Sequence, residues 1–144
     1  MGEWPITYRG VVKAEQCDHM GHMNVMWYVG KFDEGTWQLF AGLGLTRSRM
    51  QMENRGMVAL EQHIEYKREL RAGDVVTVRS AIVEVKDKII RLTHEMTNDA
   101  TDEVAAITHL VGVYFDTIAR KSDRLPEDVR ERATQMVAEV PSSK

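Results

Sequence analysis

Within eight residues, Cys17-Asp18-His19-Met20-Gly21-His22-Met23-Asn24, the chain sets a thiol, a carboxylate, two imidazoles and an amide just ahead of an apolar run with helical spacing. The start of a helix carries unpaired N–H groups and a partial positive charge. A carboxylate beside such donors can attack a carbonyl, or direct water at it, while the donors hold the carbonyl oxygen. That is the layout of an acyl-transfer site with Asp18 as its carboxylate. The competing reading is a capping or turn acid, a common use of Asp. His22 and Asn24 either orient Asp18 or the acyl group, or close the turn by local hydrogen bonds. Gly21 supplies a backbone conformation or a close approach that a side chain would forbid. Cys17, His19 and His22 invite a zinc reading. Their C-x-H-x-x-H spacing matches no common structural zinc pattern, and no second Cys/His pair lies nearby, so no metal is expected. Zinc analysis of protein prepared without added metal tests this.

The elements that must position these residues follow from periodicity. Tyr8 to Glu15 reads as a first strand ending at the turn. Asn24 is a plausible N-cap, and from Val25 the residues Tyr28, Val29, Phe32, Leu39, Phe40 and Leu43 keep helical spacing until Gly42 and Gly44 stop it. Gly30 and Gly35 each cost about 1 kcal/mol inside a helix, which suggests close packing against another backbone. With Met26, Trp27 and Trp37 widening the apolar surface, the helix is expected to be largely buried. The period then becomes strand-like. Val58 to Arg68 is extended, and Arg71-Ala72-Gly73-Asp74 is a turn. Val75 to Val85, Ile89 to Asn98 and Val104 to Phe115 form an antiparallel meander. Leu125-Pro126-Glu127-Asp128 opens a short helix, and Val140 to Lys144 should fray.

The 144 residues are most simply one domain, 1–144, with no repeat, low-complexity tract or linker. No window approaches the roughly 18 apolar residues of a membrane span, and the N-terminus lacks the form of a secretory signal. A lone cysteine allows no intrachain disulfide and fits a reducing cytoplasm. A net charge of −3 gives no general reason to expect nucleic acid as a partner. One helix cannot cover both faces of a five-stranded sheet, so a partner subunit is expected at an edge or over the other face.

With that element order, Asp18-x-x-Gly21-His22-x-Asn24 followed by Tyr28 resembles the hotdog-fold acyl-CoA thioesterases, most closely the 4-hydroxybenzoyl-CoA thioesterase branch. His63-x-x-Tyr66-x-x-Glu69-Leu70-Arg71-x-Gly73-Asp74 is similar to the second strand and turn of that family. His94-Glu95-Met96 is similar to the thioesterases of carnitine and betaine metabolism. The resemblance runs from about Tyr8 to Phe115. It implies an α+β hotdog fold, a long central helix wrapped by a curved antiparallel sheet of about five strands, in dimers or tetramers with active sites at an interface. It further implies that Asp18 is the catalytic carboxylate and that the turn near Asn24 and Val25 supplies oxyanion donors. Asp33 stands where many relatives carry a helix glutamate, and Val25 where many carry a second asparagine.

The reading is therefore hydrolysis of an acyl-CoA thioester, in the cytoplasm, with no cofactor beyond the coenzyme A of the substrate. Asp18, His22 and Asn24 are the catalytic candidates, Gly21 and Val25 the backbone ones, and Asp33, His63 and Tyr28 the substrate-binding ones. For the phosphates of coenzyme A, Lys67, Arg68 and Arg71 form one basic group and Lys86, Lys88 and Arg91 another, the first being the candidate set. His94 and His109 sit on partly buried strand faces without specific chemistry. Trp27, Tyr28, Trp37 and Tyr66 are either core packing or an aromatic box for a quaternary ammonium acyl group. A non-catalytic acyl-CoA-binding protein and a hotdog hydratase are the alternatives.

Overall fold

The computed structural model describes residues 4–138; the expected fraying of 140–144, and residues 1–3 of the stretch searched for a signal, lie outside the described residues. The elements run β1 (Ile6–Val11), a 3-10 turn (Ala14–Gln16), α1 (Val25–Gly42), α2 (Arg47–Glu53), β2 (Arg55–Tyr66), β3 (Val75–Val85), β4 (Ile89–Asn98), β5 (Glu103–Asp116), β6 (Lys121–Ser122) and α3 (Glu127–Gln135). Spatially the strands order as β1-β3-β4-β5-β2, with the two-residue β6 beside β5. The meander β3-β4-β5 is thus present, and the first and second strands in sequence take opposite edges. β1 pairs antiparallel with β3.

Two differences from the periodicity reading have local causes. β1 ends at Val11 because the Ala14–Gln16 turn intervenes. α2 was not foreseen. It is capped at both ends, Thr46 Oγ1 accepting from the Arg49 N–H (3.3 Å) and Asn54 closing it at φ 53°.

The described residues gather into two compact units, 4–38, 64–80 and 94–108 in one, and 39–63, 81–93 and 109–138 in the other. The first has a core of Val12, Tyr28, Phe32, Leu70, Val76, Val78 and Met96. The second is built on Leu39, Phe40, Leu43, Ile82, Ile90, Leu92, Leu110 and Val129. Burying a side chain such as Phe32, at 0% exposure, contributes about 2–3 kcal/mol. α1 does not fulfil the expectation that it is largely buried. Val25, Met26, Val29 and Trp37 are 38–61% exposed, because a helix packed on one side buries one stripe and these residues lie off it. The glycine reading also needs correction. A Cβ at Gly35 would meet Thr7 Oγ1 at 2.9 Å, a side chain rather than a backbone, and at Gly30 only Trp27 comes as near as 4.0 Å.

Beside Gly35 the first unit holds a buried polar chain. His94, 0% exposed, places Nε2 2.7 Å from Thr36 Oγ1 and Nδ1 against Ser80 Oγ, which is 2.7 Å from Thr7 Oγ1. Thr36 gives its one hydroxyl proton to the Phe32 carbonyl (3.1 Å), so it must accept from His94 Nε2–H. Nδ1 is then the acceptor and Ser80 donates to it, so the Thr7 hydroxyl directs its proton at Ser80 Oγ, with the Val78 carbonyl a longer second acceptor at 3.4 Å. Burial pushes the His94 pKa down to about 4, so the ring is neutral near pH 7. The reading of His94 as a strand histidine with no specific chemistry becomes that of a fully satisfied core residue.

Candidate active site

The turn that enters α1 is closed by its own backbone. Asp18 N–H donates to the His22 carbonyl (3.1 Å) and Gly21 N–H to the Asp18 carbonyl (3.0 Å), while Cys17 and Met23 form an antiparallel bridge. Gly21 sits at φ 87° with no atom within 4 Å of a would-be Cβ, so conformation rather than space is what calls for glycine. Because its N–H is engaged in the turn, Gly21 supplies shape and not a donor.

Within this turn both Asp18 oxygens are held. Oδ1 accepts from the Met20 N–H (2.9 Å) and Oδ2 from Asn24 Nδ2 (3.0 Å). The Asn24 amide first, and the Met20 N–H second, hold the Asp18 carboxyl below the usual carboxylate range. Asn24 serves the helix at the same time: Oδ1 accepts from Met26 N–H (3.0 Å) and its carbonyl from Trp27 N–H (2.9 Å). The amide orientation is fixed by these partners, since only Oδ1 can accept from Met26. One residue on, the Val25 N–H makes no hydrogen bond among the described residues. A held, ionised carboxylate and a free helix-start N–H are therefore joined through Asn24.

Against this helix start lies a cavity of about 230 Å³ lined by His22, Met23, Val25, Tyr28, Tyr66, Lys67, Arg68 and Glu69. Tyr28 is buried; its hydroxyl donates to the Arg68 carbonyl (3.0 Å), and burial raises its pKa to about 12, so it is a neutral phenol. The Tyr66 ring meets it edge to face, centroids 5.2 Å apart at 88°. His22 Nε2 stands 3.4 Å from Glu69 Oε1.

Several residues picked from the sequence meet here. Asp18, Asn24, Gly21 and Val25 share the turn, and His22, Val25, Tyr28, Lys67 and Arg68 line the cavity, whereas Asp18 is not among its lining residues. His22 touches Asp18 only through its carbonyl; its ring faces Glu69. Arg71 is exposed off the cavity, its N–H donating to Asp74 Oδ2 (2.8 Å). Asp33 lies exposed on α1 outside the lining. His63 belongs to the second unit, where its ring stacks at 6.3 Å on His109, itself 2.9 Å from Thr93 Oγ1. Of the proposed box, Tyr28 and Tyr66 come together, but Trp27 and Trp37 do not line the cavity. Glu69 was missed as a site residue. It lies 47 positions from His22, and no local spacing announces that pairing. Among the described residues no group of three or more His, Cys, Asp or Glu is arranged to hold a metal ion. No helix is long and apolar enough to cross a membrane.

A family model described as the thioesterase-like superfamily matches residues 12–133. The L-carnitine dehydrogenase/betainyl-CoA thioesterase of Agrobacterium fabrum is 28% identical over 115 residues, 80% of this chain and 23% of that protein. The betainyl-CoA thioesterase of Pseudomonas aeruginosa is 24% identical over 102 residues, 71% of this chain and 64% of that one. The chain thus spans under two thirds of the length of either relative. Among solved structures, a Staphylococcus aureus protein in complex with CoA superposes with a TM-score of 0.89 at 21% identity, over 100% of this chain and 93% of its own. At that identity the likeness establishes the fold: an antiparallel five-stranded sheet with helices, of the hotdog type.

Proposed function

The chain belongs to the thioesterase-like superfamily, and from that premise we propose that it hydrolyses an acyl-CoA thioester to the free acid and coenzyme A. The observation that carries the reading is the coupling of Asp18 to Val25 through Asn24. The carboxylate is held ionised by two donors, and the adjacent helix start keeps an N–H free. In the reaction the thioester oxygen takes the Val25 N–H, which stabilises the tetrahedral oxyanion as carbon–sulfur cleavage proceeds. Asp18 either attacks the carbonyl carbon, giving a mixed anhydride that water then cleaves to the free acid and the regenerated carboxylate, or takes a proton from the water that attacks; in both cases the carbon–sulfur bond breaks and the thiolate leaves as free coenzyme A once protonated. Tyr28 and His22 wall the acyl pocket, and Lys67 and Arg68, on its rim, meet the phosphates of coenzyme A. No cofactor is required beyond the coenzyme A of the substrate, the chain acts as a single catalytic domain, and the cytoplasm is its compartment.

The active form is a homo-oligomer, dimer or tetramer. β2 is a twelve-residue strand at the sheet edge with Val58 and Leu60 exposed, and α1 presents Val25, Met26 and Trp37 to solvent. Exposed apolar groups on an edge strand, and equally on a helix face, are best satisfied by a second copy.

The test is thiol release from a panel of acyl-CoAs, wild type beside Asp18→Asn. Turnover with one acyl class, lost by orders of magnitude in the folded variant, supports reaction and residue together. Acyl-CoA binding without thiol release across the panel returns the chain to a binding protein. Single-turnover hydrolysis in ¹⁸O-water then separates the two roles: label entering the Asp18 carboxylate marks direct attack.

A further inference from the structure

We propose that His63 and His109, paired across β2 and β5 in the second unit, form a site for one divalent transition-metal ion of the zinc or copper type. Sheet register brings them together. The Lys67 N–H donates to the Ala105 carbonyl (2.8 Å); His63 stands four residues before the first and His109 four after the second. Directly opposed residues of an antiparallel pair bring their Cβ atoms to about 4.5–5.5 Å on one face. The two imidazoles accordingly stack, with centroids 6.3 Å apart and planes 25° from parallel.

One of the two rings is already oriented. The Tyr114 N–H donates to the Lys88 carbonyl (2.9 Å), and five residues inward from each lie His109 and Thr93, so Thr93 of β4 faces His109. Thr93 is 2% exposed, which makes its hydroxyl, 2.9 Å from His109 Nδ1, a rigid anchor. When that hydroxyl accepts from Nδ1–H, Nε2 carries the lone pair that a metal ion takes. Ligating histidines are commonly fixed through their other ring nitrogen in this way. His63 supplies the adjustment. It is exposed on the edge strand and makes no hydrogen bond or ion pair among the described residues. With metal–nitrogen bonds of about 2.0–2.1 Å, two imidazoles on one ion have centroids about 5 Å apart. A small turn of the His63 side chain closes that gap.

The donor set selects the ion. Neutral imidazole nitrogens suit zinc, nickel and copper, whereas magnesium and calcium take oxygen ligands. Glu61, two residues before His63 and so on the same face of β2, is exposed and has no ion pair among the described residues, so its charge favours a cation here. Water completes the coordination. With two protein ligands in place of the four of a structural zinc site, the affinity belongs in the micromolar range. The bound ion ties the edge strand β2 to β5 and stabilises the folded chain by mass action.

The experiment titrates zinc chloride into the metal-free full chain by calorimetry, and copper(II) followed by electron paramagnetic resonance. Wild type is measured beside His63→Gln, His109→Gln and Thr93→Val. His19→Gln is the control, because Cys17, His19 and His22 are another group of metal-binding residue types. The expected result is one zinc per chain, a copper spectrum with two nitrogen ligands, and no binding of magnesium. The melting temperature should rise by several degrees at about 100-fold zinc excess over the dissociation constant. His63→Gln and His109→Gln should each weaken zinc binding at least about tenfold and leave copper with one nitrogen. Thr93→Val should weaken zinc binding several-fold, and His19→Gln not at all. His63→Gln, at an exposed position, carries the test by itself if His109→Gln does not fold. No zinc binding below millimolar concentration overturns the proposal. So does binding that survives His63→Gln unchanged, or that is lost in His19→Gln instead.

Discussion

The first unit contains two polar constructions of similar parts and opposite design. At the surface, Asp18 and Asn24 form a short chain of hydrogen bonds around a charge. In the interior, Thr7, Ser80, His94 and Thr36 form a longer chain around a ring that stays neutral. Water screens the first, so an ionised carboxylate is kept there with two donors, while one N–H nearby stays unpaired. Desolvation governs the second: a charge there would be expensive, every hydrogen is assigned, and nothing is left over for a substrate. The proposed site keeps an unsatisfied group within reach of a ligand, and the interior network that helps hold the fold together does not.

The sharpest way to break this contrast is Asp18→Asn. Thiol-release rates should fall by at least about a hundredfold while the melting temperature stays within a few degrees, since the group is exposed and its loss strands no buried partner. The converse substitution, His94→Ala, should leave the Asp18 turn intact. It should cost about 3 kcal/mol of stability, lowering the melting temperature by about 10 °C, through a cavity and orphaned hydroxyls. Denaturation midpoints measured for both variants decide whether the two constructions are as separate as their burial implies.

Acid should expose the buried ring next. The unfolded chain takes up the His94 proton near pH 6.5, and the folded chain only near about 4. Between those values the unfolded state binds more protons, so stability is present above pH 6.5 and declines as pH falls towards 4. The total is roughly 3 kcal/mol. Urea midpoints at pH 7, 5 and 4 should show this slope, and His94→Gln should flatten it.

Asn24→Ala touches both the site and the helix. It should lower kcat/KM about tenfold and remove about 1 kcal/mol of helix capping. The acid limb of the rate profile should also move to higher pH, because the Asn24 amide is the principal cause of the low Asp18 pKa. A limb that stays in place would show that Met20 N–H alone fixes the carboxylate. The smallest effect belongs to Asp128→Asn in the second unit. Its paired contacts with Arg49 (2.8 and 2.9 Å) are partly exposed, so stability should change by under about 1 kcal/mol and thiol release not at all.

Much of this was legible in the residues. The start of α1 at Val25, its end near Gly42, the three meander strands and the proline-led α3 followed from period and capping, which are local properties. The turn that enters α1 was legible for the same reason. Asp18, Gly21, Asn24 and Val25 lie within eight positions, and their hydrogen bonds span at most six. α2 escaped because seven residues give too short a period to read, although Thr46 and Asn54 marked its ends. The exposure along α1 escaped because composition tells how apolar a helix is, not how many of its faces find a neighbour.

By itself, the sequence determined where the carboxylate and the helix start would meet, since chain connectivity alone brings groups a few residues apart into contact. Only the tertiary structure decided that β2 takes an edge opposite β1 and that Tyr66 and Glu69 stand against Tyr28 and His22. It alone turned His94 from a strand histidine into the centre of a sealed network. Those pairings join residues 38 to 58 positions apart, and their geometry depends on sheet register and on which face of a strand meets the helix. Neither is encoded by any local run of residues; both follow from the global packing that buries the most apolar surface while leaving polar groups paired.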